Sequence, residues 1–224
     1  MPGVSIFTKK ADNASSSVDE FLASKGVTTG RIAFVLDATA SRQPTWDMSQ
    51  GLMGDMIREA GQLEMKLIFF RGGNEGPKQC KTSDWISDPT RFARLMGKVE
   101  CLSGYTQIAR ALAQAKREEN VGAIILIGDQ AEPVEDNLDR LGLEARDLKA
   151  PVFAFQEGFD RATEKAFRQI AELSKGAYGR FGAGSAKQLG ELLKAAAVVA
   201  KGGVKALEGR QDEASKLLLE QMRG

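Results

Sequence analysis

Ile32, Ala33, Phe34, Val35 and Leu36 form an unbroken apolar run that ends abruptly in Asp37-x-Thr39-x-Ser41. So short a run, without polar alternation, reads as a strand buried on both faces, and that requires helices above and below the sheet. Asp37 then falls at the C-terminal end of the strand, with the two hydroxyls in the loop just beyond. Open α/β sheets place their ligand sites at this edge. Three hard oxygen donors at alternate positions can aim at one point and suit a cation such as Mg²⁺ or Mn²⁺. The same residues also suit a plainer task, because Asp, Thr and Ser at a strand end cap the helix that follows.

Alternating strand and helix patterns fill the rest of the chain. After the Asp37 strand, Met48, Leu52, Met56 and Ile57 recur at helical spacing within a helix expected over about 45–62, and Met65 to Phe70 reads as a strand. Gly72, Gly73, Gly76 and Pro77 mark a tight connection to a short strand around Cys80 to Trp85, so a hairpin and an antiparallel edge are expected. Asp88-Pro89 opens a helix through Met96 by the N-cap and N1 preference, and a second helix is expected from Thr106 to about Glu118. Val121 to Ile127 reads as a buried strand ending in Gly128-Asp129, followed by a helix over about 133–148. A strand over 151–155, a helix over 161–174, a strand over 178–181 and a long Ala-rich helix from Ala186 complete the pattern. The expected fold is therefore α/β and doubly wound, with a mostly parallel central sheet, one antiparallel edge strand and helices on both faces. We divide the chain into an N-terminal arm over 1–29, polar from Thr8 to Ser17, a domain over 30–201 and a C-terminal helical extension over 202–224.

Composition removes several kinds of chemistry. The chain of 224 residues has no His, which excludes Ser-His-Asp and Cys-His catalysis and the usual zinc hydrolase sites. Its two cysteines, Cys80 and Cys101, match no CxxC or zinc spacing and are expected to be structural thiols. Lys and Arg number 31 against 30 Asp and Glu, a net charge of +1 that gives no electrostatic case for a nucleic-acid partner. The segment MPGVSIFTKK lacks an apolar core of signal-peptide length and no later run approaches a membrane span, so a soluble cytoplasmic protein is expected. No GxxxxGK[ST] or GxGxxG motif supports nucleotide binding.

A second strand also ends in aspartate, at Asp129, and Thr106 follows the small-residue turn Ser103-Gly104-Tyr105. If the two strands are neighbours, their ends and the Thr106 loop converge at one edge. This arrangement resembles the von Willebrand factor A domain with its metal-ion-dependent adhesion site, whose pattern is Asp-x-Ser-x-Ser, then a Thr, then an Asp ending a later strand. The likeness in element order runs over about 30–200, most of the chain. The resemblance implies a metal site of Asp37, Thr39, Ser41, Thr106 and Asp129, in which the three hydroxyls touch Mg²⁺ or Mn²⁺ while the two aspartates act largely through waters and hydrogen bonds. It implies, too, that an Asp or Glu of a partner protein completes the shell, and that the module serves a cytoplasmic complex. Stand-alone bacterial members of the tellurite-resistance type point to an ATPase or chaperone component as that partner. Thr39 replaces the family's first Ser, and Gln130-Ala131-Glu132 follows Asp129 where many members have Asp-Gly.

Two other functions remain open at this point. A Mg²⁺-dependent phosphohydrolase of haloacid-dehalogenase type also places an aspartate after its first strand, but it needs Asp-x-Asp, and position 39 is Thr. A scaffold with a vestigial, metal-free site is the other. No catalytic residue is assigned, and the chain is not expected to be an enzyme. Glu157 and Asp160 are expected to cap a helix, Glu132, Glu135 and Asp136 to form a solvated first turn, and Arg42 either to steer an acidic partner or to lie in solvent. Glu132 is a potential internal ligand, yet Pro133 is expected to direct it to the next helix N-terminus and leave the cation to an external acid. Trp46 and Trp85 are expected to pack.

Overall fold

In the computed structural model, which describes residues 30–72, 79–182 and 185–223, the apolar run becomes β1 (Gly30–Asp37), buried at every position except Arg31. It lies inside a six-stranded sheet with β2 (Leu63–Phe70), β3 (Cys80–Thr82), β4 (Ala123–Gly128), β5 (Val152–Glu157) and β6 (Ala177–Phe181), in the order β3-β2-β1-β4-β5-β6. All pairings are parallel except β2 with β3, which is antiparallel. The expected doubly wound sheet with one antiparallel edge is present. Parallel neighbours need crossovers, and the helices that supply them cover both faces.

Alternation along β1 divides its side chains between two cores. Ile32, Phe34 and Leu36 face a layer containing α1 (Gln43–Ala60), α2 (Pro89–Met96), α6 (Ala186–Gly202) and α7 (Glu213–Arg223). Ala33 and Val35 face α3 (Ile108–Ala115), α4 (Leu138–Arg146) and α5 (Arg161–Leu173). Trp46 is buried in the first layer, and its indole N–H donates to the Met96 carbonyl at 2.9 Å. Trp85 packs under the Arg31 guanidinium and donates to Glu118, so both indoles serve packing. Burial pushes the free thiols of Cys80 and Cys101 up to about 11, which leaves them unreactive near neutrality.

The Asp88 carboxylate caps α2 as expected, accepting from the Thr90 and Arg91 N–H groups with Pro89 in the first turn. Two helices begin later than the sequence suggests. Residue 106 is loop and α3 starts at Ile108, while residues 133–136 form turns and α4 starts at Leu138 behind an Asn137 cap. Asp136 explains both starts, since its N–H is held by the Glu132 carbonyl and its carboxylate is turned away to α3. β3 is also shorter than expected, with only an isolated bridge from Ile86 to Met65 beyond it.

After α6, a 3-10 turn (Val204–Leu207) leads to α7, which packs against β6 and α6 of its own chain. Leu207 and Leu218 are fully buried there, and the Gln221 amide bonds both the N–H and the C=O of Tyr178 at 2.9 and 2.8 Å. Among the described residues no helix is long and apolar enough to cross a membrane. The N-terminal arm and the connection through Gly73, Gly76 and Pro77 lie outside the described residues.

Candidate metal centre

The strand order reverses between β1 and β4, since the chain runs from β1 outward to β2 and returns on the other side. A crevice at the carboxyl ends of those two strands is where such sheets bind ligands. Asp37 ends β1, and Asp129 directly follows β4. The Ser41 hydroxyl joins them from the loop, donating to Asp129 Oδ2 at 3.0 Å. The Thr106 loop is drawn to the same edge by the Leu102 N–H, which donates to the Ala38 carbonyl at 3.0 Å. Two glycines permit this approach: a Cβ on Gly72 would stand 2.0 Å from the Gly104 Cα.

All five residues singled out from the sequence therefore lie at one edge, in two tiers. Thr39, Ser41 and Thr106 line a cavity of about 210 Å³ together with Gln130 and Glu132. Asp37 lies beneath, lining a void of about 10 Å³ with Arg42, Thr45 and Ser49.

Local bonding separates metal binding from simple capping. Thr39 precedes a 3-10 turn (Ala40–Arg42) but makes no side-chain cap there, and Ser41 spends its proton on Asp129. Thr106 is not the cap of α3 either: the Asp136 carboxylate takes that place, accepting from Ile108 N and Ala109 N at 2.9 and 2.8 Å. The three hydroxyls are thus released from the task that would otherwise explain them.

Electrostatics point the same way. Asp37 Oδ1 accepts from the Thr39 N–H at 2.7 Å, but its Oδ2 is buried without a partner, as is Asp129 Oδ1. Burial pushes the Asp37 carboxyl up to about 7, bonds from Thr39 hold it down, Asp129 raises it and Arg42 lowers it. A buried carboxylate short of hydrogen bonds must either take a proton or gain a cation. Among the described residues no three Asp, Glu, Cys or His side chains are arranged to hold a metal by themselves. A cation here must use hydroxyl oxygens, and Thr39, Ser41 and Thr106 supply them. The residues present therefore fit a hard divalent ion.

Four side chains escaped the sequence. Arg42 neither steers a partner nor lies in solvent: it is 3% exposed, paired with Glu157 at the end of β5, and its Nη1 is 3.7 Å from Asp129 Oδ2. Glu157 accepts from Arg42 and Thr45, and Asp160 caps α5. Asp136 is buried rather than solvated. Glu132 does not turn toward the next helix: its Oε2 accepts from the Thr106 N–H at 2.5 Å, and its own N–H donates to the Thr106 hydroxyl at 3.1 Å. Each partner is distant in sequence, from 26 to 115 positions away, so no local pattern announces it.

No family model matches the sequence, and no curated protein matches it. Solved structures do. A proximal thread matrix protein from the mussel byssus, solved with a zinc-occupied metal-ion-dependent adhesion site motif, matches with a TM-score of 0.59 at 17% identity over 76% of this chain. A von Willebrand factor type A protein from Catenulispora acidiphila matches with a TM-score of 0.51 at 17% identity over 76% of this chain. The von Willebrand A domain of an Rpn10 protein matches with a TM-score of 0.55 at 13% identity over 75%. The match spans 95% of the Rpn10 domain but only 45% and 43% of the mussel and Catenulispora chains. At these identities the likeness is one of architecture. With its six-stranded, mostly parallel sheet and helices on both faces, the chain has the fold of a von Willebrand factor A domain.

Proposed function

We propose that this chain is a metal-ion-dependent protein-interaction module that captures an acidic side chain of a partner protein. The observation that carries the reading is the convergence of three hydroxyls that cap no helix and two carboxylates with unpartnered buried oxygens at the carboxyl ends of β1 and β4. A bound Mg²⁺ or Mn²⁺ would offer a coordination position to a carboxylate of the partner. Thr39, Ser41 and Thr106 would hold the ion, and Asp37 and Asp129 would orient the hydroxyls and supply charge. Loops at the same edge of the sheet also carry exposed apolar groups, with Tyr105 64%, Val134 83% and Phe159 75% accessible. Such side chains beside a charged centre favour a protein surface as the occupant. The neighbour's zinc-occupied motif supports a divalent ion.

Position 39 is Thr, so the second carboxylate of the Asp-x-Asp pair that would shuttle protons is replaced, and a phosphohydrolase is the weaker reading. A component of a cytoplasmic complex, with an ATPase or chaperone subunit as the partner, is the setting we propose. The test is affinity capture from source cells with the wild-type chain and Thr106→Ala, each in Mg²⁺ and in EDTA. A partner retained only by the wild type in Mg²⁺ supports the reading. Equal retention under all four conditions places the interaction surface elsewhere.

A further inference from the structure

Glu132 is positioned as part of the metal site although its place before Pro133 suggested a helix N-terminus. Its carboxylate lines the same cavity as Thr39, Ser41 and Thr106. Two reciprocal hydrogen bonds fasten it to Thr106, from Thr106 N–H to Glu132 Oε2 and from Glu132 N–H to Thr106 Oγ1. The second of these uses one lone pair of the hydroxyl and fixes its orientation. The two residues are therefore held side by side, and any ion that meets the Thr106 hydroxyl lies beside Glu132.

Charge makes the same point. Arg42 is shared between Glu157 and Asp129, whereas Glu132 has no ion pair among the described residues. A divalent ion at the mouth therefore gains a carboxylate from Glu132 without any contribution from outside. Glu132 is only half-buried, and it follows a strand-end loop that is not yet helix, so its carboxylate has room to turn within the mouth. The adjoining turn is anchored at both ends, by the Ala131 N–H on the Thr163 hydroxyl at 3.0 Å and by Asp136 on α3.

We propose that Glu132 is the chain's own acidic ligand for the cation, filling the coordination position that a partner's carboxylate must take over. This rests on the metal-dependent reading above and adds a regulation to it: capture is an exchange of one carboxylate for another. Affinity for an acidic partner is then set by competition with Glu132, and metal is retained between encounters.

The test uses Mn²⁺ as the probe with the whole chain, reading affinity by calorimetry and inner-sphere water by proton relaxation. Glu132→Gln keeps an oxygen to accept the Thr106 N–H, so the loop is preserved. Removal of the ligand should weaken Mn²⁺ binding at least tenfold, admit one additional fast-exchanging water to the bound ion, and tighten binding of millimolar acetate to the Mn²⁺ complex. Glu132→Asp, which keeps the charge but shortens the reach, should show the same added water. Unchanged affinity and water count in Glu132→Gln, with wild type still binding Mn²⁺, would overturn the role of Glu132 alone. No Mn²⁺ binding by the wild type would overturn this inference together with the metal-dependent function.

Discussion

Asp37 is the residue on which the site turns, and its position was legible because an apolar run stops there. Its electrostatic state was not legible, because that depends on burial beneath the Thr39 and Ser41 loop and on Asp129 and Arg42, which are not read from the run itself. With the carboxyl raised from 3.8 to about 7 in the folded chain, the folded state holds a proton that the unfolded state has already lost. By linkage, this contribution to stability is fully present below the unfolded value and is lost as pH rises through the folded one, each tenfold gain in proton affinity being worth about 1.4 kcal/mol. Urea unfolding in EDTA should therefore show wild-type stability falling between pH 4 and 7, while Asp37→Asn, which cannot ionise, loses that dependence. A cation replaces the proton, so saturating Mg²⁺ should flatten the wild-type profile as well. Identical slopes for wild type and Asp37→Asn in EDTA would show that burial does not govern Asp37. The neighbouring Arg42 teaches the complementary lesson: it looks like a surface cation in the sequence, but a carboxylate on β5 draws it inside.

Among the elements, β1, β4 and β5 were legible from their apolar runs, and α2 from its Asp88-Pro89 start, since each signal is carried by consecutive residues. The starts of α3 and α4 were not, because both depend on Asp136, which leaves its own segment to cap a helix 27 and 28 positions away. That carboxylate does more than complete a helix, for it locks the Thr106 loop to the turn after β4. Asp136→Ala should leave two buried N–H groups without acceptors, costing about 1–3 kcal/mol for each in denaturant unfolding. It should also loosen Thr106 and lower metal affinity without touching the cavity. Thr106→Ala, by contrast, removes one hydrogen bond acceptor, and its stability loss should be the smaller of the two. A larger loss for Thr106→Ala would mean that Thr106, not Asp136, holds the start of α3.

At the scale of the whole molecule, the order of strands decides the function-bearing feature. The five residues sit in three segments spread from Asp37 to Asp129, and they meet only because β4 pairs with β1 on the side opposite β2. The alternation of strands and helices made the doubly wound class legible in advance, whereas the pairing of β4 with β1 entered the sequence reading only as a condition. What the alternation did not carry was the packing of α7 onto β6 or the exposure of Tyr105, Val134 and Phe159 on loops at the carboxyl edge. A fold of this kind hosts many functions, so function has to be read from the site rather than from the architecture. Titration of Mg²⁺ or Mn²⁺ into the chelator-stripped chain, by calorimetry alongside thermal melting, tests the metal centre most directly. The expected result is one ion per chain and a stabilisation of about 2.7 kcal/mol at a hundredfold excess over the dissociation constant, both absent in Asp37→Ala. An absence of binding heat, with superimposed melting curves in EDTA and in millimolar Mg²⁺ or Mn²⁺, would contradict it.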